Sequence, residues 1–136
     1  MLKKLSILLS ASLIAVLLVA CGGSSVLGDY LDEHRDELIG AISGIGDATI
    51  EEGRGNNEIV VTFRVSDGEY EAMSEFGEVM GMEVEEVFEM FLEDTSTVFV
   101  AMANGAREET ELDEVTVRVV FEHDGNELAS ESFPSQ

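Results

Sequence analysis

The sequence predicts an α+β domain: a four-stranded, mainly antiparallel sheet made of two hairpins, with two or three helices packed on one face. Three observations carry that expectation. Two stretches, 48–65 and 115–133, alternate apolar and polar residues with period two, and each has a turn signal near its middle. Before the first stretch and again between the two, apolar residues recur at three- and four-residue steps, the spacing of one helix face. The signals follow the order helix, hairpin, one or two helices, hairpin.

The chain begins with Lys3 and Lys4, then runs from residue 5 to residue 20 without a charge. A positive start, an apolar middle and small residues at the end are the order of a signal peptide. The run closes on Leu18-Val19-Ala20-Cys21, and Gly22-Gly23-Ser24-Ser25 follow at once. These four residues read as a bacterial lipoprotein cleavage box. Diacylglycerol transfer needs the thiol of Cys21, and a peptidase cutting before it needs a small residue such as Ala20. An uncleaved anchor is disfavoured, because the apolar run falls short of the roughly 20 residues that span a bilayer and no basic stop follows it. The expected organisation is a signal peptide over 1–20, a lipidated Gly/Ser tether over 21–28 and a single α+β domain over 29–136. The lipid on Cys21 would hold the protein in the cell membrane at its extracytoplasmic face.

Cutting there removes 20 of the 136 residues and leaves enough chain for one core. Cys21 is the one cysteine, so no disulfide is available and packing must hold the fold. All 29 acids lie beyond the cut, against five arginines and no lysine, for a formal charge of −24. Such a surface repels nucleic acid and anionic headgroups, and neither is expected as a ligand. Acidity of this kind is most simply a solvated, salt-tolerant surface; its sharper reading is a surface for cations or cationic partners.

Along the domain, Asp29 is a good N-cap, and Leu31, His34, Leu38, Ala41, Ile42 and Ile45 mark one helix face that Gly44 and Gly46 end. Thr49-Ile50-Glu51 reads as a first strand and Gly53-Arg54-Gly55-Asn56-Asn57 as a turn. In the second strand Ile59, Val61, Phe63 and Val65 form the greasy face. Ser66-Asp67-Gly68-Glu69 fits a capping box, opening a helix with Tyr70, Met73, Phe76 and Met80 inside. Gly81 interrupts the pattern, so 69–104 reads as one helix or two. Val84, Phe88, Phe91, Thr95, Val98 and Met102, widened by Val87 and Phe99, then describe a long core helix with Asn104-Gly105 as its C-cap. After an acidic linker over 108–114, Val115, Val117, Val119 and Phe121 share a face. Asp124-Gly125 supplies the hairpin turn, and the returning strand runs to Phe133.

The ending V-x-V-R-V-V-F over Val115 to Phe121, followed by Asp124-Gly125, Glu127-Leu128-Ala129-Ser130 and Phe133, resembles a family of small Gram-positive lipoproteins known as domain-of-unknown-function 4854. The cleavage box, the early helix and the strand over 58–65 fit the same likeness. The resemblance implies a cell-surface lipoprotein; the shared stretch is a hairpin and carries no catalytic residue.

Residues able to do chemistry are few. The histidines are His34, at the edge of the first helix's apolar stripe, and His123, beside a turn where a polar residue is expected. There is no G-x-S-x-G elbow, P-loop or G-x-G-x-x-G after a strand, and no catalytic residue is expected. Glu108, Glu109, Glu111, Asp113 and Glu114 crowd one linker, and Glu86, Glu89 and Glu93 share a helix face, but neither set has EF-hand spacing. Met73, Met80, Met82, Met90 and Met102 could suggest soft-metal ligands, but Met73, Met80 and Met102 fall at core positions of helices, so packing is the better reading. No metal site and no cofactor are expected. The function that follows is a non-catalytic binding or accessory module of the cell envelope, meeting envelope proteins or cations. A small envelope hydrolase using acidic residues, or a cation-binding acidic surface protein, is the alternative.

Overall fold

The computed structural model describes residues 25–136; the cleavage box Leu18, Val19, Ala20 and Cys21 lies outside the described residues. The chain order is α1 (Val26–Ile42), β1 (Asp47–Glu52), β2 (Glu58–Arg64), α2 (Asp67–Met80), α3 (Val84–Asp94), α4 (Ser96–Thr110), β3 (Thr116–His123) and β4 (Asn126–Pro134). The class is α+β, with four helices where two or three were expected.

The sheet order is β1-β2-β3-β4, with antiparallel outer pairs and a parallel central pair. The two expected hairpins therefore meet side by side in the same direction, and the sheet is mixed. The reason lies in the connection. Three helices carry the chain from the end of β2 back to its beginning. The Thr116 amide donates to Asn57 O at 2.9 Å at one end of the pair, and the Val65 amide to Glu122 O at 2.7 Å at the other. Asp124 and Gly125 both take positive φ, 53° and 80°, the type I′ geometry that a two-residue Asp-Gly hairpin demands.

One face of the sheet holds the core. Ile50, Ile59, Val61, Phe63, Val117, Val119, Phe121, Ala129 and Phe133 alternate inward and meet Leu27 and Leu31 of α1, Phe88 and Leu92 of α3, and Phe99, Met102 and Ala106 of α4. Phe121 is the hub of an aromatic cluster, with ring centroids 5.2 Å from Phe63, 5.0 Å from Phe88 and 5.8 Å from Phe91. The other face carries Val60, Thr62, Arg64, Arg118 and Val120 in register; among the described residues the helices pack on the core face, and of these five only Val120 is buried.

Helix boundaries depart from the periodicity in three places. α1 is capped by Ser25, whose hydroxyl accepts the Gly28 amide at 2.9 Å and donates to Glu52, so Asp29 falls in the first turn rather than at the cap and the helix already includes 26–28. The long core helix breaks at Thr95. Thr95 sits at φ −99° and ψ 6°, outside helical geometry, and its hydroxyl lies 3.0 Å from Phe91 O and 3.2 Å from Leu92 O, carbonyls that its own amide also meets. α4 then runs past Asn104-Gly105 to Thr110, because Ala103 and Ala106 bury against the core and Gly105, in open space, does not stop it. The capping box of α2 forms as read, with the Ser66 amide 2.9 Å from Glu69 Oε1 and the Glu69 amide 3.2 Å from Ser66 Oγ.

Candidate functional site

α2 is 14 residues long, yet the only residue it buries is Gly77. Gly81, at φ 74°, ends it: the Gly81 amide donates to Glu78 O and the Met82 amide to Gly77 O, the paired bonds of a Schellman motif. α3 then packs closely beneath. A Cβ on Gly77 would lie 2.6 Å from Met82 O and 3.3 Å from Val87 Cγ2, so only glycine lets the two helices meet this tightly.

This corner leaves apolar side chains in water. Phe76 is 45 % exposed, Val79 84 %, Met80 58 % and Met90 40 %. The helical spacing predicts Phe76 and Met80 as inward, and both are exposed. The periodicity placed them correctly on one stripe with Met73, but that stripe overhangs the body of the domain. Two clefts lie along it and share Met73 and Phe91. The first, of about 150 Å³, is walled by Ile45, Val65, Phe88 and Phe121; the second, of about 210 Å³, by Phe76, Val87 and Met90. Each is smaller than the roughly 300–1,000 Å³ of a small-molecule pocket and suits a single inserted side chain. Glu69 lines one cleft and Asp94 the other. Over residues 67–94 there are eleven acids and no lysine or arginine.

The histidines have a different setting. His34 Nε2 lies 2.7 Å from Glu109 Oε2 and 3.5 Å from Glu33, while Nδ1 is 3.4 Å from Glu37 and the Tyr30 ring packs at 4.6 Å. The hydrogen bond to Glu109 is the main cause that raises the His34 pKa, helped by Glu37 and opposed by partial burial. Burial, with Glu109 and Glu37 nearby, likewise raises that of Tyr30. His123 repeats the arrangement: Nε2 is 2.8 Å from Asp67, and Tyr70 stacks on the ring at 4.4 Å and 11°. Each pair joins distant elements, α1 to α4 and β3 to α2, so these histidines act as ties. Among the described residues, the side-chain hydrogen bonds of both go to carboxylates.

The remaining acids do not converge. Of the 108–114 set, Glu109 alone joins a three-residue group, with Glu33 and His34; the other such group among the described residues is Asp67, His123 and Asp124. Glu86 is used at the start of α3, accepting the Glu83 amide at 2.9 Å. Met102 is buried as read and Met73 half-buried, whereas Met80 and Met90 are surface residues. On the sheet face opposite the core Arg64 pairs with Asp47 at 3.0 Å and Arg118 with Glu127 at 3.4 Å. Among the described residues, no helix is long and apolar enough to cross a membrane.

The α2–α3 corner was missed in the sequence because exposure is not periodic. The signal available was Val79, an apolar residue beside the stripe and next to Met80 just before the Gly81 stop. Set beside known proteins, the chain matches no family model, no curated protein and no solved structure.

Proposed function

We propose that this is a lipid-anchored, non-catalytic binding module of the cell envelope that receives a protein partner on the α2–α3 corner. The observation that carries the reading is α2 itself, an ordered and capped helix that buries only Gly77 and turns Phe76, Val79 and Met80 to solvent. Exposed apolar side chains gathered over clefts mark interaction surfaces, since isolated domains gain nothing by wetting them. The cleavage box at Cys21 and the resemblance to small surface lipoproteins support the envelope location. So does the start of α1 at Val26, which leaves only a few residues between Cys21 and the domain and holds it within about 20 Å of the membrane.

A photo-cross-linking amino acid placed at Val79 in growing cells tests this. A discrete adduct from Val79 that is absent when the probe stands at Glu51, on the sheet face opposite the core, supports the reading. No adduct at Val79, or equal adducts at both positions, overturns it.

A further inference from the structure

The partner's chemistry can be taken further; this step rests on the α2–α3 corner being the binding surface. We infer that the corner binds a cationic amphipathic helix, a segment with apolar residues on one side and lysine or arginine on the other.

The floor sets the first half of that description. Met73 and Phe76 stand at i and i+3 along α2 with exposed Met80 at i+7 beyond the clefts, and from α3 Phe91 lines both clefts and Met90 the second. A helix lying in such a groove offers anchors at the same steps, and each cleft accommodates one of them. Methionines reshape at small cost, which suits a floor meeting side chains of varied form.

The rim sets the second half. Eleven carboxylates and no basic side chain occupy 67–94, with Glu69 lining the first cleft and Asp94 the second. An anionic helix or an anionic lipid surface would bring like charge against this rim, at a cost that grows as water is excluded. A second copy of the chain would do the same, since its matching face is equally acidic. A cationic helix instead meets opposite charge beside an apolar floor.

The test uses the full chain in nanodiscs of neutral phosphatidylcholine, with empty nanodiscs as the blank. Three synthetic peptides of about 18 residues, long enough to span α2, are titrated: a Leu/Lys amphipathic helix, its Leu/Glu counterpart, and a Leu/Lys scramble with no apolar face. The Leu/Lys helix is expected to bind at least about tenfold more tightly than either control, and to weaken as salt rises from about 50 to about 500 mM. Phe76→Ser with Met90→Ser should lower its affinity about tenfold or more, whereas Glu51→Gln should not. Both replaced side chains are already 40 % or more exposed, so the fold is retained, and a thermal melt checks this. Equal binding of the Leu/Glu peptide or the scramble, no binding at all, or Leu/Lys binding untouched by the double substitution overturns the proposal. So does sedimentation showing a dimer that Phe76→Ser dissolves, because the face is then covered by a second copy. If the Leu/Lys helix fails while the Val79 adduct in cells persists, the partner chemistry is wrong and the binding surface stands. If both fail, the surface itself is wrong.

Discussion

Phe121 sits where three other phenylalanines converge, and at 5 % exposure it has no water to fall back on. Phe121→Ala should cost about 3–5 kcal/mol, read as a lowered urea midpoint, because the stacked and edge-on neighbours cannot all move in to fill the gap. His34 makes a subtler contribution. Its folded pKa lies above the ordinary imidazole value of 6.5, held there first by the bond to Glu109, then by Glu37 and the charge of Glu33. The folded state therefore binds this proton more tightly than the unfolded chain. The resulting stability is fully present below about pH 6.5 and is lost as pH rises through the raised folded value. Melting temperature measured from pH 6 to pH 8 should fall more steeply in the wild type than in His34→Gln. Parallel curves would show that the Glu109 contact does not bind the proton.

Among the elements, the α2–α3 corner depends on one missing side chain. Gly77→Ala forces a methyl against the Met82 carbonyl, a backbone atom that the Gly81 turn holds in place. The expected loss is about 1–3 kcal/mol in chemical denaturation, with α2 the first segment to lose amide protection in hydrogen exchange. The break at Thr95 is a second lesson in local competition. The heptad-like steps from Val84 to Met102 are compatible with an unbroken helix, and the threonine occupies a position on that stripe. Thr95 nevertheless leaves helical geometry, at φ −99° and ψ 6°, and its amide and hydroxyl both meet the carbonyls of Phe91 and Leu92 where α3 ends and α4 begins.

For the whole molecule, 29 acids against five arginines beyond Cys21 leave net self-repulsion that ions screen. The carboxylates over 108–114 are spread between the end of α4 and the connection to β3, and Glu109 is already engaged with His34. Calcium and sodium chlorides matched for ionic strength should therefore raise the melting temperature equally. Extra stabilisation by dilute calcium would require a folded-state site and would contradict this arrangement. The two edge strands carry Glu52 and Glu131 at core-facing register positions, opposite Ile59 and Val119. Charges placed there keep the sheet from extending into a second molecule.

The sequence by itself determined the α+β class, both hairpins, the alternating core positions of β2 and β3, the Ser66-Glu69 cap and the Asp124-Gly125 turn. Each of these is dictated by local geometry, by side-chain period or by a backbone angle few residues accept. It also carried the charge, which is composition. Tertiary structure decided the rest. The parallel pairing of β2 with β3 depends on how far three helices travel before the chain returns, a distance that no local pattern encodes. The inward or outward sense of Phe76 and Met80 depends on what lies beneath their stripe. An amphipathic helix looks the same in sequence whether its apolar face meets its own core or is left for another molecule, and only the packing of α2 against α3 distinguishes the two.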